Sequence, residues 1–302
     1  RQRQMCIRDR PKTVIDRISK FYSKEFSNVG RSVHSLAVTA TNRFEETRDL
    51  MQKHINAKYR EEIIFTKNAT EAINLVASTY SEKFIENGDE ILITELEHHA
   101  NYVPWHFIRE KKGALIKFAK CNDKGEVDID EIKKLITNKT KIIAITHISN
   151  VTGAIIPIKK IVDLASQKKI PVLVDGCQGA PHLKIDMQEL GCDFYAISCH
   201  KMYGPTGVGV LYAKKKWLDI LPPYQGGGGM IEEVKKDNIT FPSSPTKYEA
   251  GTLQTAEVVG FSESIKFIED VGIKNIMKHE KEILEYGLEK IKKNNSVKII
   301  GE

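Results

Sequence analysis

Residues 141–176, KIIAITHISNVTGAIIPIKKIVDLASQKKIPVLVDG, decide the fold class of this chain. Lys141–Thr146 is a short apolar run that predicts a strand, Ile158–Lys168 has helical spacing, and Pro171–Val174 predicts a second strand. A helix between two such strands is a crossover unit, and crossover units build sheets of parallel strands.

The same alternation continues on both sides of that unit. Further strands are predicted at Glu62–Thr66, Glu90–Thr94, Asp193–Ser198 and Val208–Ala213, and a helix is predicted at Asn68–Tyr80. We therefore expect an α/β fold, with a mostly parallel sheet flanked by helices.

The two ends of the chain differ from this body. Residues 1–10, RQRQMCIRDR, hold four of the ten arginines and are predicted to be a non-native leader, with a disordered basic arm as the alternative. From about Phe261 a segment rich in Lys and Glu predicts one long amphipathic helix that opens another unit. We expect a large domain at residues 11–262 and the incomplete start of a small domain at residues 263–302.

Composition excludes several classes of protein. The chain has 302 residues, of which 41% are hydrophobic, as in ordinary globular domains. No segment approaches the roughly 20 apolar residues of a membrane helix, and we expect a cytoplasmic protein without a membrane partner. Five cysteines without a C-x-x-C pair argue against a disulfide framework or a zinc knuckle. Half of the formal charge of +6 lies in the first ten residues, so nucleic acid is not an expected partner.

Polar side chains follow five of the predicted strands, at the point where each strand ends. Open α/β sheets bind ligands at the carboxyl ends of their strands, so five such ends predict one polar site along one edge. The helix that begins after the first strand would suit a phosphate. The five segments are Thr66-Lys67-Asn68-Ala69-Thr70, Glu97-His98-His99, His147-Ile148-Ser149-Asn150, Asp175-Gly176-Cys177-Gln178 and Ser198-Cys199-His200-Lys201.

These residue types together are the parts of a pyridoxal phosphate (PLP) site. A crowded lysine can form a Schiff base with a carbonyl cofactor, and an aspartate at the end of a buried strand can keep a pyridine nitrogen protonated. A histidine can stack on the ring, while hydroxyls and a helix N-terminus can take the phosphate. A metal site at His98-His99 is not expected, because no third ligand has suitable spacing.

Seven segments of the chain resemble the class V aminotransferase-fold enzymes, and most of all the cysteine desulfurases of the Suf type. Three of them are 174–178 (VDGCQ), 198–207 (SCHKMYGPTG) and 247–252 (KYEAGT), and all seven lie between Pro11 and about Gly260. The resemblance implies the PLP-dependent transferase fold of type I. The other four segments are 70–74, 97–101, 147–150 and 228–231.

The resemblance implies a role for each candidate site residue. Lys201 would be the Schiff-base lysine, Asp175 would pair with the pyridine nitrogen, and His98 would stack on the ring and help to move protons. The other cofactor-binding positions would be Gln178 at the ring hydroxyl, Thr70, Ser198 and His200 at the phosphate, Asn150 at cofactor or substrate, and Thr252 at the phosphate in a partner subunit.

The implied function is a PLP-dependent cysteine desulfurase that acts as a homodimer. It would convert L-cysteine to L-alanine and pass the sulfur, as an enzyme-bound persulfide, towards iron–sulfur cluster assembly through a sulfur-acceptor protein. None of the five cysteines matches the position of the family's sulfur-accepting cysteine, and no arginine follows Arg109. We therefore expect a fragment of a longer protein, inactive or nearly so by itself. Cys199 replaces a family glycine and is interpreted as a small residue filling that place.

Two other functions stay open at this point. The first is another class V enzyme, such as a selenocysteine lyase, a kynureninase-like hydrolase or an aminotransferase. The second is a non-catalytic, PLP-binding fragment.

Overall fold

A seven-stranded sheet forms the middle of the protein in the computed structural model, which describes residues 9–30 and 34–301. Across the sheet the strands lie in the order β1-β7-β6-β5-β4-β2-β3, where β1 is Ile63–Thr66, β2 Glu90–Thr94, β3 Leu115–Ala119, β4 Thr140–Thr146, β5 Val172–Asp175, β6 Phe194–Ser198 and β7 Gly209–Ala213. The seventh strand is antiparallel to both of its neighbours, and the other pairs are parallel. The expected α/β class with a mostly parallel sheet is confirmed.

Helices cover both faces of this sheet. They are α1 (Lys12–Lys20), α2 (Ser35–His54), α3 (Ala69–Phe84), α4 (Val103–Lys112), α5 (Ile129–Leu135), α6 (Ile158–Ser166), α7 (Gly179–His182), α8 (Met187–Leu190), α9 (Lys215–Leu218), α10 (Thr255–Val271) and α11 (Ile273–Lys292). A small hairpin, β8 (Glu233–Lys235) and β9 (Asn238–Thr240), lies outside the main sheet. No helix in the described part of the chain is long and apolar enough to span a membrane.

The described core has three apolar clusters, and successive strand residues alternate between the two larger ones. In β1, Ile63 and Phe65 belong to one cluster and Ile64 to the other, and in β4 Ile143 and Ile142 divide in the same way. A strand that is buried on both faces has apolar residues at successive positions rather than at every second one. This explains why the predicted strands are continuous apolar runs.

The predicted strands are present with ends shifted by at most one residue. One strand, β3, was missing from the expectation. It lies at the edge of the sheet, pairs with β2 alone, and leaves Leu115 and Phe118 exposed. Its short run LIKFA therefore lacks the fully apolar character of the central strands.

The expectation of one long helix from about Phe261 is wrong. Two helices, α10 and α11, meet at Gly272, where the backbone has φ 82° and the first helix stops. A positive φ is a conformation that glycine adopts without strain, so the chain changes direction there. The predicted domain boundary after residue 262 falls inside α10, whose Phe261 and Ile265 are buried in the main core. The division into domains stays a prediction.

The predicted leader lies mainly outside the described residues, which begin at Asp9. Arg10 is described, and its Nη1 donates to the carbonyl oxygens of His200 at 2.6 Å and Gly204 at 2.8 Å. That the first ten residues are non-native stays a prediction.

Candidate active site

Eight of the nine predicted site residues line one cavity of about 360 Å³ at the carboxyl ends of the parallel strands. The volume lies in the range of small-molecule sites. The segments after β1, β2, β4, β5 and β6 all contribute to its walls. The eight residues are Thr70, His98, Asn150, Asp175, Gln178, Ser198, His200 and Lys201.

The first wall of the cavity is the N-terminus of α3. Asn68 caps this sixteen-residue helix by accepting a hydrogen bond from the backbone N–H of Glu71 at 2.8 Å, and exposed Thr70 lies in the first turn. The turn sits directly on β7, since a Cβ added at Gly209 would lie 2.4 Å from the carbonyl carbon of Asn68. The positive end of a helix dipole and free N–H groups thus face this side of the site.

Ser198 and His200 stand at the end of β6. Ser198 Oγ lies 3.1 Å from His200 Nδ1. Partial burial lowers the pKa of His200, and the positive charges of Lys201 and Arg10 lower it further. A neutral imidazole at neutral pH can donate one hydrogen bond to an anion without carrying a charge of its own.

Asp175 ends β5 at the centre of the sheet and is buried. Its Oδ1 accepts a hydrogen bond from the backbone N–H of Cys177 at 3.0 Å. Burial, and then the nearby Asp175 carboxylate, raise the pKa of the Cys177 thiol well above its ordinary value. Cys177 lines the cavity but stays a protonated thiol, which is a poor nucleophile. Gln178 follows at the start of α7.

His98 lies at the tip of the loop that follows β2. Its Nδ1 accepts a hydrogen bond from the backbone N–H of Ala100 at 3.1 Å, so the proton of a neutral ring lies on Nε2. Partial burial lowers the pKa of His98, Asp175 opposes that shift, and Lys201 and His99 add to it. The ring is therefore mainly neutral at pH 7.

Lys201 occupies the short turn Cys199–Lys201 that follows β6 and is half-buried. Its charge acts on both His98 and His200, so the three groups share one electrostatic environment. Cys199 is fully buried in the core, and burial raises the pKa of its thiol well above the ordinary value. Cys199 is not among the residues that line the cavity.

A larger cavity of about 800 Å³ adjoins the first one. Asn150, Gln178 and Lys201 line both cavities. The remaining walls of the larger cavity are mainly apolar and come from residues 148–155, α7 and α11. Lys201 therefore borders both the smaller cavity, where ionisable side chains gather, and the larger, mainly apolar one.

Thr252 is the predicted site residue that the structure does not bring to this place. It lines a different cavity of about 260 Å³, together with the ion-paired side chains of Arg48 and Glu249. Within a single chain, the structure keeps Thr252 apart from the cavity that holds Lys201.

Sequence reasoning missed the part that Glu97 plays in this site. Glu97 stands next to His98 in the quoted segment, but a carboxylate beside a histidine carries no sequence signal of burial. In the structure its carboxyl accepts hydrogen bonds from three donors on two strands and a turn. A buried carboxylate with three donors is costly to build, and such groups concentrate at functional sites.

The chain is similar to known proteins both in sequence and in structure. The sequence profile of the class V aminotransferases matches residues 9–302. A cysteine desulfurase from Wigglesworthia glossinidia brevipalpis is 45% identical over 292 residues, covering 96% of this chain and 71% of that relative. The structure of a cysteine desulfurase from Thermococcus onnurineus NA1, in its apo form, superposes with a TM-score of 0.92 at 34% identity, covering 96% of this chain and 72% of the other.

Some relatives are much longer than this chain. A "Probable cysteine desulfurase" of Mycolicibacterium paratuberculosis is 43% identical over 292 residues, which are 97% of this chain but 43% of that relative. The chain thus spans less than half the length of one relative that it matches and about 70% of another.

Proposed function

This chain belongs to the class V aminotransferase family, and from that premise we propose that it carries the PLP site of a cysteine desulfurase. The reaction would convert L-cysteine to L-alanine and leave the sulfur as an enzyme-bound persulfide. The observation that carries the proposal is that Lys201, Asp175 and His98 line one cavity whose far wall is a helix N-terminus. The relatives that are named cysteine desulfurases support the choice of substrate.

The residues present fit PLP in charge and in kind. Thr70, the N-terminus of α3, Ser198 and His200 offer donors for a phosphate at one end of the cavity. The buried carboxylate of Asp175 is suited to the pyridine nitrogen, and the neutral ring of His98 can cover the flat face of a heterocycle. We assign Gln178 to the ring hydroxyl.

Lys201, His98 and Asp175 would each have a separate role in the reaction. When bound, PLP supplies a carbonyl carbon for an amine and a ring that accepts electron density. Lys201 is the residue whose amine would hold the cofactor at that carbonyl carbon. The amine of Lys201 and the imidazole of His98 are the bases that can hold the proton from the substrate α-carbon. Asp175 would hold the ring nitrogen in its protonated form.

The substrate lies in the larger cavity, beside Asn150, Gln178 and Lys201, which border both spaces. We assign the sulfur acceptor to a thiol other than Cys177, because burial and Asp175 keep that thiol protonated. The sulfur then passes to an acceptor protein and supports iron–sulfur cluster assembly.

The working unit is a homodimer. Thr252 lies apart from the Lys201 cavity of its own chain, in keeping with a contact to the phosphate held by a partner subunit. We place the protein in the cytoplasm, where its unpaired Cys121, Cys177, Cys192 and Cys199 stay reduced.

The visible spectrum of the purified chain with PLP tests the proposal. Wild type should turn yellow, and borohydride should bleach the colour, whereas Lys201→Ala should stay colourless. Lys168→Ala, which removes an exposed lysine from the turn after α6, should behave as wild type. If folded wild type shows no such band, the proposal fails. If the band is present, a change in that band on adding cysteine, which needs no sulfur-accepting thiol, decides whether cysteine is a substrate.

A further inference from the structure

A buried polar network surrounds the carboxyl group of Glu97. Oε1 accepts hydrogen bonds from Thr94 Oγ1 at 2.6 Å and from the backbone N–H of Thr146 at 3.0 Å. Oε2 accepts a hydrogen bond from Asn101 Nδ2 at 2.6 Å. The carboxyl therefore joins the ends of β2 and β4 to the turn that follows His98.

Asn101 extends this network on the other side of the turn. The residue is fully buried, and its Oδ1 accepts a hydrogen bond from Trp105 Nε1 at 3.3 Å. That bond fixes the orientation of the amide, because reversing the amide would place Nδ2 opposite the indole N–H. The Nδ2 group must therefore face Glu97.

The same turn holds His98 at two points. The backbone N–H of Asn101 donates to the carbonyl oxygen of His98 at 2.8 Å, and the N–H of Ala100 donates to its Nδ1. A carboxyl at position 97 thus determines, through Asn101, where the imidazole of His98 stands.

We propose that Glu97 is a positioning residue, which fixes the ring and the tautomer of His98 by holding Asn101 in place. The inference deepens the proposed function and rests on it, since that function gives His98 its place over the cofactor ring. It concerns contacts of this chain alone, so one arm of its test needs no cofactor.

Electrostatics agree with this geometry. Burial raises the pKa of Glu97 to about 8, and the nearby charge of Asp175 also acts to raise it. The hydrogen bonds from Thr94, Asn101 and Thr146 act in the opposite direction and lower the pKa. The ionised carboxyl can accept from all three donors at once, so the network is complete above that pKa.

The substitution Glu97→Gln breaks the network at one defined place. The new amide can keep an oxygen towards Thr94 and Thr146, but its NH₂ then faces the Asn101 NH₂. Asn101→Asp in the same chain exchanges donor for acceptor across this contact and still accepts from Trp105. The double variant E97Q/N101D should therefore restore what E97Q removes. Glu95→Gln is the matched control, because this carboxylate lies on the same loop but contacts Cys121 instead.

The first readout is the tautomer of His98 in the chain without PLP, from ¹⁵N shifts of labelled histidine at pH 9, where Glu97 is mainly ionised, assigned with His98→Gln. Wild type, E95Q and E97Q/N101D should show the Nε2–H form, and E97Q and Asn101→Ala a mixture of both forms. The second readout is PLP affinity, which should fall about tenfold in E97Q, as for one lost buried hydrogen bond, and recover in the double variant.

The outcomes separate the inference from the function on which it rests. A pure Nε2–H form and unchanged PLP affinity in E97Q would overturn the inference. Loss without recovery in E97Q/N101D would also overturn it, in favour of a general packing role for Glu97. If wild type does not bind PLP at all, the proposed function fails, while the tautomer measurement still decides whether Glu97 positions His98. Asn101→Ala provides the same test if E97Q does not fold.

Discussion

The guanidinium of Arg48 and the carboxylate of Glu249 form a buried, two-pronged ion pair, with Nη1–Oε1 at 2.8 Å and Nη2–Oε2 at 2.9 Å. Both partners also bind β1. Arg48 Nη1 donates to the carbonyl oxygen of Ile63 at 2.5 Å, and Glu249 Oε1 accepts from the backbone N–H of Phe65 at 2.7 Å. The pair thus ties α2 and the segment that leads to Thr252 to the edge of the sheet.

Removing one partner of this pair should strongly destabilise the fold. Glu249→Ala leaves the buried guanidinium with partly exposed Glu45 as its remaining charged partner, and we expect a loss of about 3 kcal/mol in the free energy of unfolding. Urea unfolding followed by circular dichroism measures it. Glu46→Ala, which breaks the exposed Arg43–Glu46 pair, should cost less than about 1 kcal/mol. Equal losses in the two variants would contradict this account.

Gly209 should tolerate no side chain. In Gly209→Ala the new Cβ meets the backbone of Asn68 and Ala69 at 2.4–2.8 Å, which the helix start can relieve only by moving. We expect a loss of about 1–3 kcal/mol in stability from overpacking, and PLP binding about tenfold weaker because the phosphate end is displaced. Gly226→Ala is the control, since nothing lies within 4 Å of its added Cβ. PLP affinity at wild-type level in Gly209→Ala would disprove the prediction.

His147 should make the fold sensitive to mild acid. Burial lowers its pKa to about 4, and its Nδ1 lies 2.8 Å from Tyr195 Oη. A group with a lowered folded-state pKa gives full stability above its unfolded value of about 6.5, and stability falls as the unfolded chain takes up protons below it. From pH 6.5 to 5 the expected loss is about 2 kcal/mol.

The measurement for His147 is the slope of unfolding free energy against pH between 7 and 5. His147→Gln should flatten that slope, whatever it does to stability at pH 7. His279→Gln, at an exposed position of α11, should leave the slope unchanged. A wild-type slope in His147→Gln would assign the acid sensitivity to other groups.

The alkylation rate of each cysteine should depend on how deeply its thiol is buried. Cys121 is partly exposed, whereas Cys192 and Cys199 are fully buried with raised thiol pKa values. Iodoacetamide labelling of native protein, mapped by mass spectrometry, should modify Cys121 at least about 100 times faster than Cys199. Comparable rates would show that Cys199 is reactive and would reopen the question of its part in catalysis.

Much of the fold could be predicted because its signals are local. A buried strand such as β5 is an apolar run, and Asp175 marks its end without any knowledge of the neighbours. The edge strand β3 could not be found in this way, since its exposed Leu115 and Phe118 depend on its place in the sheet. Gly272 is a single residue in a helical pattern, and its break depends on how α10 packs on α1 and α2.

In the candidate site, too, the residues with a local sequence signal could be predicted and those that depend on tertiary contacts could not. Residues that follow strands, such as Lys201 and His98, could be predicted because parallel strands bring their ends together. Glu97 could not, because its role depends on Thr146 and Asn101, one far away in the chain and one four residues on. Thr252 shows the opposite case, in which a family resemblance indicates a role that the single chain does not display.

The antiparallel strand β7 determines when the phosphate end of the site can first exist during synthesis. Gly209 pairs with Thr66 of β1 on one side and with Ser198 of β6 on the other. In the described sheet β1 is an edge strand that pairs with β7 alone. The start of α3 and the Lys201 turn therefore stay apart until residue 213 has left the ribosome. A nascent chain should capture its cofactor only after that point, however early the other strands fold.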